Sequence, residues 1–200
     1  MGNKSIGSPF PSYDAALALY SQAELNEFRK KYTTLSGGSE VLSLPNFVKS
    51  LSAHSSYAQR ELAPRLFSAL NLKRNGSLTF EEYLCGLTVF RSGTQDNKIK
   101  CLYIMYDGAK ASTGLVKDNL KQILVDASLC MDRSSNIPIT LLDAWIADIK
   151  LLSQALVETA MIQYAVHPHK IDMQEFLALG KADVSIQGLI AIIGSMVDSE

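Results

Sequence analysis

The sequence has no excess of either charge and no long apolar run. Its 19 basic and 20 acidic residues give a net charge of −1, and the basic residues do not cluster, so we expect no nucleic-acid binding. No segment reaches the roughly 18 consecutive apolar residues that a membrane-spanning helix needs, and the first six residues lack the apolar core of a secretory signal. A chain of 200 residues that is 47% hydrophobic and 20% charged favours one or two compact folded units.

Cysteine is scarce, and the common catalytic motifs are missing. Cys85, Cys101 and Cys130 are odd in number, widely spaced and set in apolar helical sequence, which favours reduced thiols in a cytoplasmic protein. The chain has no phosphate-binding glycine loop, no GxSxG motif and no HExxH pair. His167 and His169 are too few for zinc, which takes about four ligands. We therefore expect a protein that is not an enzyme; a nucleophilic Cys85 is the alternative.

The most specific feature is the twelve-residue segment 71–82, Asn-Leu-Lys-Arg-Asn-Gly-Ser-Leu-Thr-Phe-Glu-Glu. In a calcium-binding loop, oxygen ligands come from positions 1, 3, 5, 7, 9 and 12, and a glycine stands at position 6. Gly76 fills position 6, and oxygen-bearing side chains fill every ligand position but the third: Asn71, Asn75, Ser77, Thr79 and Glu82. Lys73 at position 3 places a cation where an acid is usual, and unit charges about 4 Å apart interact by roughly 1–4 kcal/mol. The segment is thus a candidate calcium site that we expect to be weak.

The same helix-loop-helix pattern recurs along the chain. With an apolar residue at position 8 of each loop, Leu42 and Leu78 lie 36 residues apart, and Val116 follows Leu78 by 38. Ile171 takes this position in a last loop, 164–175. This spacing is typical of a repeated helix-loop-helix unit.

The other loops lack most calcium ligands. The window 35–46 has no carboxylate at a ligand position, and a third loop with Gly114 as its turn glycine has Leu120 at position 12. The last loop keeps Asp172 at position 9 and Glu175 at position 12, but not the ligands at positions 1, 3 and 5. We expect no calcium binding in these three loops.

Helix signals divide the chain. Ser21 and Glu24 form a capping box that predicts a helix start, and we expect residues 1–20 to be a flexible tail. Residues 126–141 carry Ser, Asn, Asp and Pro and are expected to be an insertion. Residues 142–163 predict one or two helices, and the apolar run 188–194 is a candidate exposed surface that a partner or a following domain would cover.

The N-terminal residues indicate lipidation. Removal of Met1 would expose Gly2, as N-myristoylation requires, although Ile6 stands where Ser or Thr is usual and Ser5 is one place early. The alternative is an unmodified tail. Because Lys4 is the only basic residue nearby, a single acyl chain would give weak and reversible membrane contact.

These residues resemble the EF-hand superfamily over about residues 20–180, in a calcineurin B-like arrangement of four degenerate hands. The chain is most similar to the EF-hand module that precedes TLDc domains, through Met1-Gly-Asn3, Leu78-Thr-Phe-Glu-Glu-Tyr83 and Gly93-Thr-Gln-Asp-Asn-Lys98. The resemblance implies an all-α fold of two EF-hand lobes, 21–92 and 93–200, whose loops pair through short β-bridges. It also assigns the family ligand positions to Asn71, Asn75, Ser77, Thr79 and Glu82.

The function expected from this resemblance is regulatory or scaffolding and not catalytic. The protein would bind a helix of a partner protein in an apolar groove, largely without calcium. The alternative is a weak calcium sensor that uses only the 71–82 loop and is tethered to a membrane through Gly2. We expect a cytoplasmic protein; the alternative is a cytoplasmic protein that is attached peripherally to a membrane.

Overall fold

The structure, a computed structural model, describes residues 7–51, 58–107, 114–131 and 139–198. Within these ranges it contains ten α-helices and two small antiparallel sheets, which confirms the expected all-α fold. The helices are α1 (Tyr13–Leu17), α2 (Gln22–Ser36), α3 (Leu44–Ser50), α4 (Ala63–Leu70), α5 (Phe80–Ser92), α6 (Gln95–Asp107), α7 (Lys117–Met131), α8 (Ile139–Tyr164), α9 (Met173–Ala182) and α10 (Val184–Asp198). A π-helical turn, Ala58–Leu62, leads into α4. The strands are β1 (Val41–Ser43), β2 (Ser77–Thr79), β3 (Leu115–Val116) and β4 (Lys170–Ile171).

The first two helix-loop-helix units pair through β1 and β2. Leu42 lies opposite Leu78 in this antiparallel sheet, and both side chains are completely buried. The tyrosine hydroxyl of Tyr32 in α2 donates to the Leu78 carbonyl at 2.7 Å. The 36-residue spacing in the sequence therefore corresponds to two loops held side by side over one core.

The third and fourth units pair through β3 and β4, and here the predicted register is wrong by one residue. Leu115, not Val116, lies opposite Ile171; Leu115 is buried and Val116 is 47% exposed. Successive strand side chains point to opposite faces, so only one of these two neighbours can enter the core. Position 12 of this loop is consequently Asn119, not Leu120. The side-chain amide of Asn119 donates to the backbone carbonyl of Tyr106.

The N-terminal segment is ordered earlier than expected. Residues 1–6, and with them Gly2, lie outside the described residues, but the prediction of a flexible tail through residue 20 is wrong for the segment that follows. Phe10 and Ala16 are buried, and α1 packs against α5. Tyr20 donates a 3.2 Å hydrogen bond to Thr88 of α5. The apolar residues scattered among Gly, Ser and Pro thus provide enough buried surface to fix this segment.

The boundaries of the later helices also differ from the prediction. The capping box of Ser21 and Glu24 is present at the start of α2. The first part of segment 126–141, which we expect to be an insertion, is helical. Helix α7 continues through Met131, and α8 begins at Ile139, with 132–138 outside the described part. Residues 142–163 belong to one helix of 26 residues, about 39 Å long at 1.5 Å per residue.

The last helix contributes buried apolar side chains to the core. Helix α10 packs against α5, α6, α7 and α9, and Leu189, Ile190 and Ile193 are buried. The expectation that 188–194 forms exposed apolar surface is therefore wrong. Apolar residues at helical spacing form one face, and in this chain its own earlier helices cover that face.

Candidate functional site

The backbone of the 71–82 loop has the tight turns of a cation-binding loop. Arg74 has a φ of 52° and Gly76 a φ of 78°, the left-handed conformation that favours glycine and that other residues seldom adopt. The Asn71 side-chain oxygen accepts from the amide of Asn75 at 3.3 Å. The Asn75 side-chain oxygen in turn accepts from the amide and the hydroxyl of Ser77, both at 3.1 Å. Three of the five predicted ligand residues thus make hydrogen bonds to one another within the loop.

Glu82 at position 12 is held by the donors of its own loop. Its carboxylate is buried, and Oε1 accepts from the backbone amide of Lys73 at 3.0 Å. Oε2 accepts from the amide and hydroxyl of Thr79 at 3.0 and 3.1 Å. The bond from the Thr79 amide, with the 3.3 Å bond from the Glu82 amide to the Thr79 hydroxyl, forms the capping box that starts α5. The Glu82 carboxylate therefore connects position 3 of the loop, through Oε1, to position 9, through Oε2.

As a calcium site, the donor set is incomplete. At its ligand positions the loop offers one carboxylate, that of Glu82, and its position 3 carries the exposed side chain of Lys73 with its ammonium group. Calcium favours six to eight oxygen ligands, several of them carboxylates. The loop therefore has the backbone conformation of a calcium site but too little negative charge. Among the described residues, no three His, Cys, Asp or Glu side chains form a group that could hold a metal ion.

The last loop, 164–175, repeats the contacts of Glu82. Glu175 at position 12 accepts from the amide of Val166, at position 3, at 2.5 Å and from the amide of Asp172, at position 9, at 2.7 Å. The Asp172 carboxylate caps α9 by accepting from the amides of Gln174 and Glu175 at 2.8 and 2.9 Å. We call this arrangement, in which the position 12 glutamate accepts from the amides of positions 3 and 9, the carboxylate clamp.

Sequence reasoning missed the carboxylate clamp, although a signal for part of it was present. Thr79 with Glu82 and Asp172 with Glu175 have the spacing of a capping box. That spacing predicts the bond to position 9, but the bond to position 3 depends on how the loop closes. In the first and third loops, position 12 is an asparagine, Asn46 or Asn119.

An apolar groove lies between α7, α8 and α9. It contains a cavity of about 230 Å³ whose apolar lining includes Leu120, Leu124, Leu156, Ala160 and Leu179. Beside it, α8 exposes a series of large side chains over its outer face: Leu151 (71% exposed), Leu152 (65%), Leu156 (50%) and Ile162 (86%). We call these four residues the α8 face. The α8 face could not be predicted from the sequence, because apolar residues occur on most sides of α8.

The thiols lie in the core. Burial raises the pKa of Cys85 to about 11 and that of Cys101 and Cys130 to about 12. This shift disfavours the thiolate form that a nucleophilic cysteine needs.

No single helix in the described ranges is long and apolar enough to cross a membrane, and the only pair to reach that length and composition together, Met173–Ala182 with Val184–Val197, is bent by 92°.

No protein-family model matches the chain. Over 101 residues it is 30% identical to the "Calcium and calcium/calmodulin-dependent serine/threonine-protein kinase" of Lilium longiflorum, a match that covers 50% of this chain and 19% of the kinase. Proteins of the same name from Lotus japonicus and Oryza sativa subsp. japonica are 26% and 29% identical over 104 and 101 residues. The chain spans 19% of the length of each of these relatives. Over half its length, the chain is therefore similar to one part of calcium-dependent kinases, which supports an EF-hand, calcium-related region.

Proposed function

We propose that the chain is a non-catalytic EF-hand region with a regulatory or scaffolding role, which binds an apolar helix of a partner protein largely without calcium. The carboxylate clamp carries this proposal. Glu82 and Glu175 accept hydrogen bonds from the amides of positions 3 and 9 of their own loops. A loop whose ends are joined by its own carboxylate keeps its shape without an ion, so the paired units would present a fixed surface.

The surface that we propose for the partner is the groove between α7, α8 and α9 together with the adjoining α8 face. Leu156 belongs to both, since it lines the groove and is half exposed. Thr159, Gln163 and Asp183 provide polar groups among the groove-lining residues. Apolar centres with polar edges are typical of surfaces that bind the apolar face of an amphipathic helix.

The test measures binding of a fluorescein-labelled leucine-lysine amphipathic helix by anisotropy, in calcium and in chelator. We expect similar affinities in both solutions and about a tenfold loss, or ~1.4 kcal/mol, in Leu156→Glu. Leu72→Glu is the matched control, because Leu72 is 55% exposed in the 71–82 loop, away from the groove. Equal binding by wild type and Leu156→Glu would overturn the proposed surface, and binding only in calcium would overturn the calcium-independent mechanism.

The second candidate function is a weak calcium sensor. It is favoured by the left-handed backbone at Arg74 and Gly76 and by the names of the kinase relatives. Calorimetric titration of calcium into the full chain would show saturable heat that Glu82→Gln abolishes. Absence of heat up to millimolar calcium would reject the sensor.

Membrane attachment through acylated Gly2, in an otherwise cytoplasmic protein, remains a proposal from the sequence. The intact mass of the full chain, made in a eukaryotic lysate with myristoyl donor, would show one added acyl group in wild type and none in Gly2→Ala. An unmodified wild-type mass would reject it.

A further inference from the structure

The 71–82 loop holds the chain's only asparagine that precedes a glycine, Asn75 before Gly76. Both residues are exposed. A Cβ placed on Gly76 would meet nothing within 4 Å, so the space beside its backbone is open. Each of the other asparagines precedes a residue that carries a side chain, as Asn26 precedes Glu27 in α2. Asn75 is therefore the asparagine whose side chain the next backbone amide can approach with least hindrance.

An asparagine followed by glycine can lose its side-chain amide without an enzyme, because the next backbone nitrogen is held close to the side-chain carbon. Here the Gly76 amide nitrogen would lose its proton and form a bond to Cγ of Asn75. The bond from Cγ to Nδ2 breaks, and the Nδ2 group leaves as ammonia with that proton. Water then opens the succinimide ring. Cleavage of the new bond to Cγ leaves an aspartate, and cleavage on the backbone side leaves an isoaspartate.

The contacts of Asn75 favour this attack. Its Oδ1 accepts from the amide and the hydroxyl of Ser77, both at 3.1 Å. Negative charge develops on Oδ1 as the nitrogen adds to Cγ, and hydrogen-bond donors placed at such an oxygen stabilise the transition state. Gly76 has no Cβ to restrict backbone rotation, so the loop can turn this amide toward Cγ at small cost. By contrast, Asn71 of the same loop is buried and precedes Leu72.

The aspartate product would change the charge of the loop at a ligand position. Asn75 occupies position 5, and Glu82 supplies the one carboxylate now present at the ligand positions. The affinity of such a loop for calcium depends on the number of its charged ligands. A second carboxylate would also partly offset the positive charge of Lys73 at position 3. The aspartate form should therefore bind calcium more tightly than the form that is synthesised.

We propose that Asn75 is a site of spontaneous deamidation, and that its conversion to aspartate makes the 71–82 loop responsive to calcium. The only co-reactant is water, and no atom is oxidised or reduced. The inference goes beyond the proposed function and does not rest on it, because the modification is read from the covalent structure of the chain and not from partner binding.

Incubation of the full chain at pH 8, followed by peptide mapping with mass spectrometry, measures the reaction at each asparagine. We expect Asn75 to gain about 1 Da, as an amide becomes an acid. Asn26 is the control within the chain, because it is also exposed but precedes Glu27 in α2, and its mass should not change. Gly76→Ala should slow the reaction at least about tenfold, since its methyl group hinders the attack. An unmodified Asn75, or equal rates at Asn75 and Asn26, would overturn the proposal.

Calorimetric titration of calcium into Asn75→Asp, which has the aspartate product at this position, tests the effect on the loop. We expect binding at least about tenfold tighter than in wild type, or saturable heat where wild type gives none. Asn26→Asp is the matched control, because it makes the same change of charge at an exposed position outside the loop. Equal calcium binding by the two variants would overturn the proposed response. Neither measurement involves a partner helix, so failure of the proposed function would be distinguishable from failure of this inference.

Discussion

Glu82 and Glu175 show how one side chain can fill a family's ligand position while making different contacts. A carboxylate can coordinate an ion or accept hydrogen bonds from amides, and both roles require oxygens that point into the loop. In this chain each carboxylate accepts from the amides of positions 3 and 9. Charge-assisted bonds of this type are roughly twice as strong as neutral ones, so we assign these two residues a structural role in the loops.

Glu82→Gln should destabilise the protein by about 1–3 kcal/mol even in chelator, because a neutral side chain of the same shape weakens both bonds and turns an amide group toward a donor. Thermal unfolding in chelator measures this. Glu81→Gln is the control, because Glu81 is the exposed neighbour, and its effect should stay within about 0.5 kcal/mol. Destabilisation of Glu82→Gln that is seen only in calcium would instead assign Glu82 to an ion.

At the scale of elements, a glycine allows α4 and α5 to pack closely against each other. A Cβ on Gly86 of α5 would lie 2.4 Å from Cδ2 of Leu70 and 2.7 Å from its Cδ1. Leu70, at the end of α4, is buried and has little room to move. Since α4 ends just before the 71–82 loop and α5 contains Glu82 in its first turn, this close contact fixes the two helices that flank the loop against each other.

Gly86→Ala should therefore destabilise the protein by about 1–3 kcal/mol through overpacking. Gly194→Ala is the matched control, because a Cβ on Gly194 of α10 meets nothing within 4 Å. There the alanine should stabilise by about 0.5–1 kcal/mol through its higher helix propensity. Urea midpoints of both variants measure the difference. Equal shifts of the same sign would contradict the close α4–α5 contact.

The whole molecule buries ionisable groups from both pairs in one continuous core. Burial raises the pKa of Tyr83 in α5 to about 12 and the pKa of Cys101 in α6 and Cys130 in α7 to about 12. The folded state therefore favours the neutral forms of these side chains over their ionised forms. Their contribution to stability is fully present below the unfolded thiol pKa of about 8.5, declines above it, and is lost as pH rises through the folded pKa.

We expect the urea midpoint to be nearly constant between about pH 7 and 7.5 and to fall progressively above about pH 8. Cys101→Val removes one buried thiol without adding polarity, so the fall should be shallower in that variant. The reaction of the thiols with an aromatic disulfide reagent at pH 8 should be limited by unfolding. Rapid labelling of all three thiols in the folded protein would contradict this.

The sequence by itself determined the all-α fold, the capping box at Ser21 and the pairing of Leu42 with Leu78, because these follow from side-chain spacing, and spacing is visible along the chain. Only the tertiary structure decided the register at Leu115, where two neighbouring apolar residues compete for one buried face. Spacing also could not show that earlier helices cover the apolar face of α10, that Glu82 accepts from the amide at position 3, or that Arg65 donates to Asp126, which lies 61 residues further along the chain. Each of these depends on which helix packs against which, and contacts between residues distant in sequence are set by the core as a whole.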